Sequence, residues 1–300
     1  MNFSVVIPTY NRKKDIEECL DSILRQTILP TEILVIDDGE LPLEFVDKER
    51  KMFEDKKINF VYYKKSHQKE KRGSSESRNI ALGLAEEKII FILDDDVILD
   101  NNFLEKIVEI WVNNENKKLI GVGGIIKNNR QKEKFEKIYN IFFGLVSKYR
   151  WDITPVGFQV WDDKIKEKEK GHYAHGGVCS YNKNLTQKLK FTTFGGGRTA
   201  LEDVDFCLRA KNKGYHFMIE PTAKVIHEQS KTSRENNFLI GTKEGCNRKI
   251  IFKNNCQKSF KNYLWFHWSN IGWTLRQFLS GNFLKFLGII KGSLFETHEK

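Results

Sequence analysis

The chain has 300 residues, 40% hydrophobic and 30% charged, enough to bury a sizeable core without disulfide or metal staples, which excludes disorder and collagen-like repeats. Five cysteines (Cys19, Cys179, Cys207, Cys246, Cys256) stand far apart with no C-x-x-C pair, so neither a zinc site nor a disulfide framework is indicated and a reducing compartment fits. Net charge is +10, of which residues 237–300 hold +7 from ten Lys/Arg against three Asp/Glu.

No basic or apolar leader precedes the first strand-like run, so a cytoplasmic location is expected. Residues 4–7, 32–36, 59–63, 88–93 and 119–126 read as strands. Between them Ile16, Leu20, Ile23 and Leu24 keep helical spacing, as do Ile80, Ala81, Leu84 and Ala85, then Phe103, Leu104, Ile107, Val108 and Trp111. The alternation predicts an α/β fold with a mostly parallel sheet. Ligands of such sheets bind beyond the carboxyl ends of the strands, near a switch in strand order.

Three of these strands end in Pro8-Thr9-Tyr10-Asn11, Asp37-Asp38-Gly39 and Asp94-Asp95-Asp96. Singly, Asn11 reads as a helix cap, Asp-Gly as a turn and the acidic run as a solvated loop. Together, five carboxylates at one sheet edge repel one another unless a cation or a donor-rich ligand is present. A hard divalent ion, Mg²⁺ or Mn²⁺, with a nucleotide supplies both.

The segments SVVIPTYNR, ILVIDDG, SRNIAL and FILDDDVIL, in this order and spacing, resemble the family 2 glycosyltransferases of the GT-A fold over about the first 230 residues. The resemblance implies a Rossmann-like nucleotide-binding half joined to an acceptor-binding half, and inverting transfer from a nucleotide diphosphate sugar. By position, Thr9 and Asp38 would contact base and ribose, and Arg78 would lie on the donor side. Asp94 and Asp95 would face ribose and sugar while Asp96 ligates the metal.

In the middle of the chain Phe135, Ile138, Phe142 and Leu145 form a helical stripe read as core, and residues 164–170 a solvated charged loop. His172 to Gly177 reads as strand-like, and Gly176-Gly177 resembles the family's acceptor-side strand; no metal is assigned to His172 and His175. Gly195-Gly196-Gly197 reads as a flexible approach to the next helix.

Thr199 and Glu202 read as a capping box, N-cap and N3, for a helix that stops at Gly214. Asp203 and Asp205 fall in its first turn, where the helix dipole favours the ionised form. In the family an acidic pair at this place, here Glu202 and Asp203, faces the acceptor, and Asp203 would be the base. Two apolar runs follow, 215–219 and 223–226, and the second ends at His227. That histidine is either a buried or capping residue or, by resemblance, a third metal ligand that tilts the choice toward Mn²⁺. Residues 229–237, with Lys231 and Arg234, read as a lid over the diphosphate or as an ordinary surface loop.

The tail, 237–300, interleaves basic residues with Trp265, Trp268 and Trp273. Its longest charge-free stretch, 262–275, falls short of the roughly 20 apolar residues of a span, so it should lie on an anionic bilayer rather than cross it. Residues 265, 268 and 272–273 fall on one helical side, continued at 275, 278, 279, 283 and 286; the competing reading packs this stripe on the catalytic domain.

The expectation is therefore a metal-dependent inverting glycosyltransferase. Residues 1–236 would be catalytic, 1–127 binding the nucleotide sugar and 128–236 the acceptor, a lipid-linked or polysaccharide glycan. Residues 237–300 would place the enzyme peripherally on the inner face of the cell membrane, with no nucleic-acid partner. The alternatives are a nucleotidyltransferase of similar fold and a non-catalytic membrane-surface protein.

Overall fold

The computed structural model describes residues 1–128, 134–195, 200–230, 232 and 235–295. Its main sheet contains β1 (Ser4–Thr9), β2 (Glu32–Asp37), β3 (Asn59–Lys64), β4 (Ile89–Leu93), β5 (Val97–Leu99) and β6 (Leu119–Ile126). A small ribbon of β7 (Asp152–Ile153) and β8 (Gln159–Val160) precedes β9 (Glu169–Gly171), β10 (Val178–Asn182) and β11 (His216–His227), which return to the main sheet. The order is β3-β2-β1-β4-β10-β6-β11-β5, with β9 beside β11. Strands β1, β2, β3, β4, β6 and β11 share one direction, whereas β10 enters antiparallel between β4 and β6. The expected mostly parallel α/β sheet thus forms and runs through both parts of residues 1–236.

Side-chain alternation splits the core in two. Val5, Ile7, Ile33, Val35, Phe91 and Leu93 face one layer, and Val6, Leu34, Ile36, Ile90 and Ile92 the other. The first layer is closed by α1 (Lys13–Leu24), α2 (Leu43–Glu54) and α4 (Phe103–Val112). The second is closed by α3 (Ser74–Leu84), α6 (Lys183–Leu189) and α7 (Glu202–Asn212), numbered past α5 (Lys134–Phe142). With both faces covered, these strands carry continuous apolar runs, which made them readable from sequence.

Five local expectations are corrected. The runs at 215–219 and 223–226 are one strand: β11 keeps pairing with β6 across a register shift between Ile219 and Lys224, where Pro221 can donate no ladder hydrogen bond. Residues 169–171 are not loop but pair with β11, whereas 172–177 form a bend and turn before β10 rather than strand. α7 begins at Glu202 itself, after Leu201 in a left-handed conformation (φ 68°), so Glu202 is the first helical residue rather than the third. Thr199, Gly196 and Gly197 lie outside the described residues, as do Lys231 and Arg234. The stripe at 135–145 is core only in part: Ile138 and Phe142 are 68% and 61% exposed, whereas Leu145 is buried together with Phe143. The Phe135 side chain is outside the described part.

The tail forms α8 (Asn237–Asn255), α9 (Phe260–Leu279) and α10 (Phe283–Leu294). A third core joins it to the body through Phe143, Leu145, Val156 and Phe158 against Phe252, Phe266, Trp273 and Ile289. At its centre Glu244 accepts from Trp273, Arg248 and Lys285, while the Arg248 guanidinium lies 4.1 Å from the Phe158 ring centre. Helices α8 and α10 cross backbone to backbone: a Cβ on Gly241 would stand 2.3 Å from the Lys285 carbonyl oxygen, and one on Gly288 2.1 Å from that of Phe238. The predicted continuous stripe is broken at Gly281 (φ 77°), and it packs on the body only in part, since Trp273 is buried while Trp265 and Trp268 are 43% and 37% exposed. Among the described residues no helix is long and apolar enough to cross a membrane.

Candidate active site

Because β1, β2 and β4 run the same way, with β2 and β4 on opposite sides of β1, their carboxyl ends meet at the strand-order switch. β11 ends at the same edge. β5 runs antiparallel to it with Val97 opposite His227, so Asp96 arrives level with that histidine. The Asp96 carboxylate lies 2.9 Å from His227 Nε2 and also accepts the Ser230 amide.

The gathered carboxylates are largely matched by the chain's own donors. Asp37 closes its turn by accepting from Gly39 N, Leu41 N and Tyr62. Asp38 takes Lys65 Nζ at 2.9 Å, Gly73 N at 2.7 Å and His67 Nε2 at 3.1 Å. Its carboxylate therefore pins the 65–73 segment, while the residue still lines the cleft. Thr9 is buried and donates to Asp95 at 2.8 Å. Asn11 is not a helix cap: at φ 53° its Oδ1 accepts the Glu40 amide, and the cap position belongs to Arg12. Charge repulsion alone thus did not require a metal.

Arg12 was not foreseen. Its guanidinium pairs with Asp95 at 2.8 Å and Asp96 at 3.5 Å, and its Nε donates to the Thr232 carbonyl, tying the acidic edge to the segment after β11. A lone arginine after a strand carries no periodic or motif signal, but an acidic run at a buried edge calls for such a partner. Burial raises the Asp95 carboxyl to about 6 despite Arg12 and Thr9. Burial alone would raise Asp96 as well, yet His227, Arg12 and the Ser230 amide hold it at about 2. Asp94, Asp96 and His227 each offer one ligand atom, all within 4.8 Å of one another. Two carboxylates and an imidazole suit Mn²⁺ or Mg²⁺. Asp94 thus joins the expected Asp96 and His227 in this cluster, while Asp95 faces inward.

Arg78 is no surface residue: it is 4% exposed, and it bridges Asp94 and Glu202 at 3.2 Å each. Asp203 accepts from Tyr173 at 3.0 Å and from the Val204 amide at 2.8 Å. Burial raises the carboxyls of both Glu202 and Asp203. The two glycines sit where side chains have no room, with a Gly177 Cβ 2.0 Å from the Asp94 carboxylate and a Gly176 Cβ 3.1 Å from Asp203 Cβ. Asp205, by contrast, is spent on Arg209, Thr192 and Asn255.

These residues line two adjoining hollows. One, about 430 Å³, holds Thr9, Arg12, Asp38, Arg72, Asp95 and Asp96. The other, about 270 Å³, holds His175, Gly176, Gly177 and Asp203. Arg78, Asp94, Glu202 and His227 line both and form the wall between them.

Residues 4–187 match the description Glycosyl transferase family 2. The chain belongs to that family. It is 31% identical over 106 residues to the glycosyltransferase GlyG of Streptococcus pneumoniae, covering 35% of this chain and 34% of that one. It is 31% identical over 138 residues to the Escherichia coli UDP-Glc:alpha-D-GlcNAc-diphosphoundecaprenol beta-1,3-glucosyltransferase WfgD, covering 44% and 49%. The matches thus span about a third to a half of these relatives' lengths. In fold the chain resembles the Pyrobaculum calidifontis mannosyltransferase solved with GDP-Man and Mn²⁺, at TM-score 0.64 and 15% identity over 100% of this chain and 88% of that one. It also resembles Staphylococcus aureus TarS with UDP-GlcNAc, at 0.57 and 18% identity over 95% and 78%. Its fold is the GT-A fold.

Proposed function

We propose that this family 2 glycosyltransferase moves a sugar, with inversion, from a nucleotide diphosphate sugar to a hydroxyl of a lipid-linked or glycan acceptor. The observation that carries the reading is the pair of hollows sharing one wall, with Arg12, Arg72 and Asp96 on one side, Asp203 on the other, and Arg78, Asp94 and His227 in the wall between. The nucleotide diphosphate would occupy the larger hollow, with base and ribose toward Thr9 and Asp38 and the anionic diphosphate near Arg12, Arg72 and Arg78. Asp96, His227 and Asp94 would hold a divalent ion, whose charge supports the departing diphosphate.

The acceptor hydroxyl enters by the smaller hollow, past Gly176 and Gly177. Asp203 accepts its proton as the oxygen attacks the anomeric carbon from the side opposite the diphosphate, the geometry that inversion demands. One carboxylate suffices on this side, because the leaving group is anionic and needs charge stabilisation rather than a proton. Glu202 holds Arg78 against Asp94 and so sets the wall between the two reactants.

The exposed apolar surface supports a membrane-associated acceptor. Most exposed large hydrophobic side chains lie at 138–149 and 239–295, on and just after α5 and on the tail helices, above all α9 and α10. Trp268 packs on Phe142 and donates to its carbonyl, so α5 and α9 present one continuous face. With the +7 tail, that face suits the surface of an anionic bilayer.

The test is a thermal-shift and turnover series with UDP-glucose, UDP-GlcNAc and GDP-mannose, with and without Mn²⁺ or Mg²⁺. A nucleotide sugar should stabilise the protein by mass action and do so more with metal, and Asp96→Asn should abolish that metal-dependent increment while keeping the fold. Turnover undiminished in chelator would remove the metal from the proposal.

A further inference from the structure

The base assigned to Asp203 is itself held by a buried phenol. We propose that Tyr173 is a positioning residue for this reaction, whose hydroxyl fixes the Asp203 carboxylate toward the acceptor and stabilises its ionised form. The inference rests on the reading of Asp203 as base, and extends it to a residue of the 172–177 segment to which the sequence assigned no role.

Tyr173 lies in the bend before β10 and is 3% exposed. Its ring stacks on Trp151, with centres 6.3 Å apart and planes 18° apart, and packs against Trp161 and His175. Three aromatic neighbours leave it one orientation. Its hydroxyl donates to Asp203 Oδ2 at 3.0 Å and lies 3.3 Å from His175 Nδ1. The other carboxylate oxygen, Oδ1, accepts the Val204 amide of its own helix at 2.8 Å. Each oxygen of Asp203 thus has a fixed donor, and the plane of the carboxylate is set from two sides.

The remaining groups around Asp203 do not duplicate this role. Glu202 and Cys207 share its helix, Arg78 and Asp94 face it from α3 and the end of β4, and Arg248 from α8; His175 lies on the hydroxyl rather than on the carboxylate. Arg78 is committed to Asp94 and Glu202. The phenol remains a donor at any working pH, because burial and the adjacent carboxylate raise it well above its ordinary value. A hydrogen bond to the ionised carboxylate favours that form, so it opposes the effect of burial and keeps the base available near neutrality.

The test is Tyr173→Phe, which keeps the ring and its packing and deletes only the hydroxyl. With the donor chosen from UDP-glucose, UDP-GlcNAc and GDP-mannose by thermal stabilisation, release of nucleoside diphosphate should fall roughly tenfold or more in kcat, as loss of a hydrogen bond to a charged group implies. KM for the donor should stay put, and the acidic limb of the rate profile should move to higher pH. In metal-free protein, the carbon-13 carboxyl resonance of Asp203, assigned by its loss in Asp203→Asn, should titrate at higher pH in the phenylalanine variant. An unmoved resonance overturns the inference even if the variant is slow or less stable. A moved resonance with full turnover in Asp203→Asn retains the contact but overturns the base reading, and the positioning role with it.

Discussion

At the scale of single residues, the acidic edge is a set of carboxylates held by the chain's own donors, with Arg12 shared between Asp95 and Asp96. Asp95 belongs to Arg12 and Thr9, Asp96 to His227 and Ser230, Asp94 to Arg78. Replacing Arg12 by Met therefore leaves Asp95, which is 4% exposed, without its cation. Breaking a buried pair from one side costs about 3–5 kcal/mol, so the melting temperature should drop by several degrees, with Mn²⁺ recovering part of it and stabilising the variant more than the parent. Equal metal shifts in both would show that Arg12 does not balance the edge. Across the cleft, Asp203→Asn should lower turnover about 10²-fold or more, the usual contribution of a general base, with donor and metal affinity nearly unchanged. Glu202→Gln should instead weaken the grip on Arg78 and raise the donor KM. Retention of more than about a tenth of the turnover by Asp203→Asn, short of that general-base factor, would shift the role of base to Glu202.

At the scale of elements, Asp152 links the β7–β8 ribbon to α7 through Lys211 at 2.7 Å and to the bend at His172 at 3.1 Å, with Ser147 also donating. Burial would raise this carboxyl, but those three donors hold it at about 2, below its usual value near 4. An acid whose value is lower in the folded state stabilises at pH above its unfolded value and loses that contribution as pH falls. Asp152→Asn should cost about 2–3 kcal/mol at pH 7, and the difference from the parent should vanish between about pH 4 and pH 2. A constant difference across that window would contradict the assignment. The crossing of α8 and α10 is equally specific: Gly288→Val would drive side-chain atoms into the Phe238 carbonyl and should lower the melting temperature sharply, whereas the exposed Leu294→Val should not. What was legible in the sequence follows the same logic. The strands of a doubly covered sheet are apolar throughout, and Thr9, Asp38 and the aspartate triplet end them, so the fold and the acidic edge could be read directly. The helical stripe on α5 was misjudged because period shows that a face is apolar, not what it meets. The bend at 172–177 and the entry to α7 depend on a left-handed Leu201 and on aromatic packing. Neither follows from local propensity, so neither Tyr173 nor the start of α7 could be placed beforehand.

At the scale of the molecule, the tail is both a structural part and a surface. Phe252, Phe266, Trp273 and Ile289 complete a core with Val156 and Phe158, and Arg248 donates to the Gly157 carbonyl. Truncation after residue 236 would expose that core and should abolish cooperative unfolding, so the catalytic residues cannot be studied by removing the tail. The membrane reading is better tested on the outer face, where Phe142, Phe278 and Leu279 are 61%, 51% and 67% exposed. Changing these three to Ser removes apolar area that the folded protein does not bury, and stability should change little. If the face rests on a bilayer, the parent should bind vesicles of phosphatidylglycerol and phosphatidylcholine at low salt with a blue shift of tryptophan emission from Trp265 and Trp268. Each basic residue near the leaflet contributes roughly 1 kcal/mol and is screened by salt, so binding should weaken steeply toward 0.5 M salt, on the order of a 4 Å Debye length. The triple variant should bind at least about tenfold more weakly, because each exposed Phe or Leu side chain is worth about 1.5–3 kcal/mol when fully removed from water. Binding that is indifferent to both salt and these substitutions would leave the face as ordinary protein surface and the acceptor as a glycan delivered from solution.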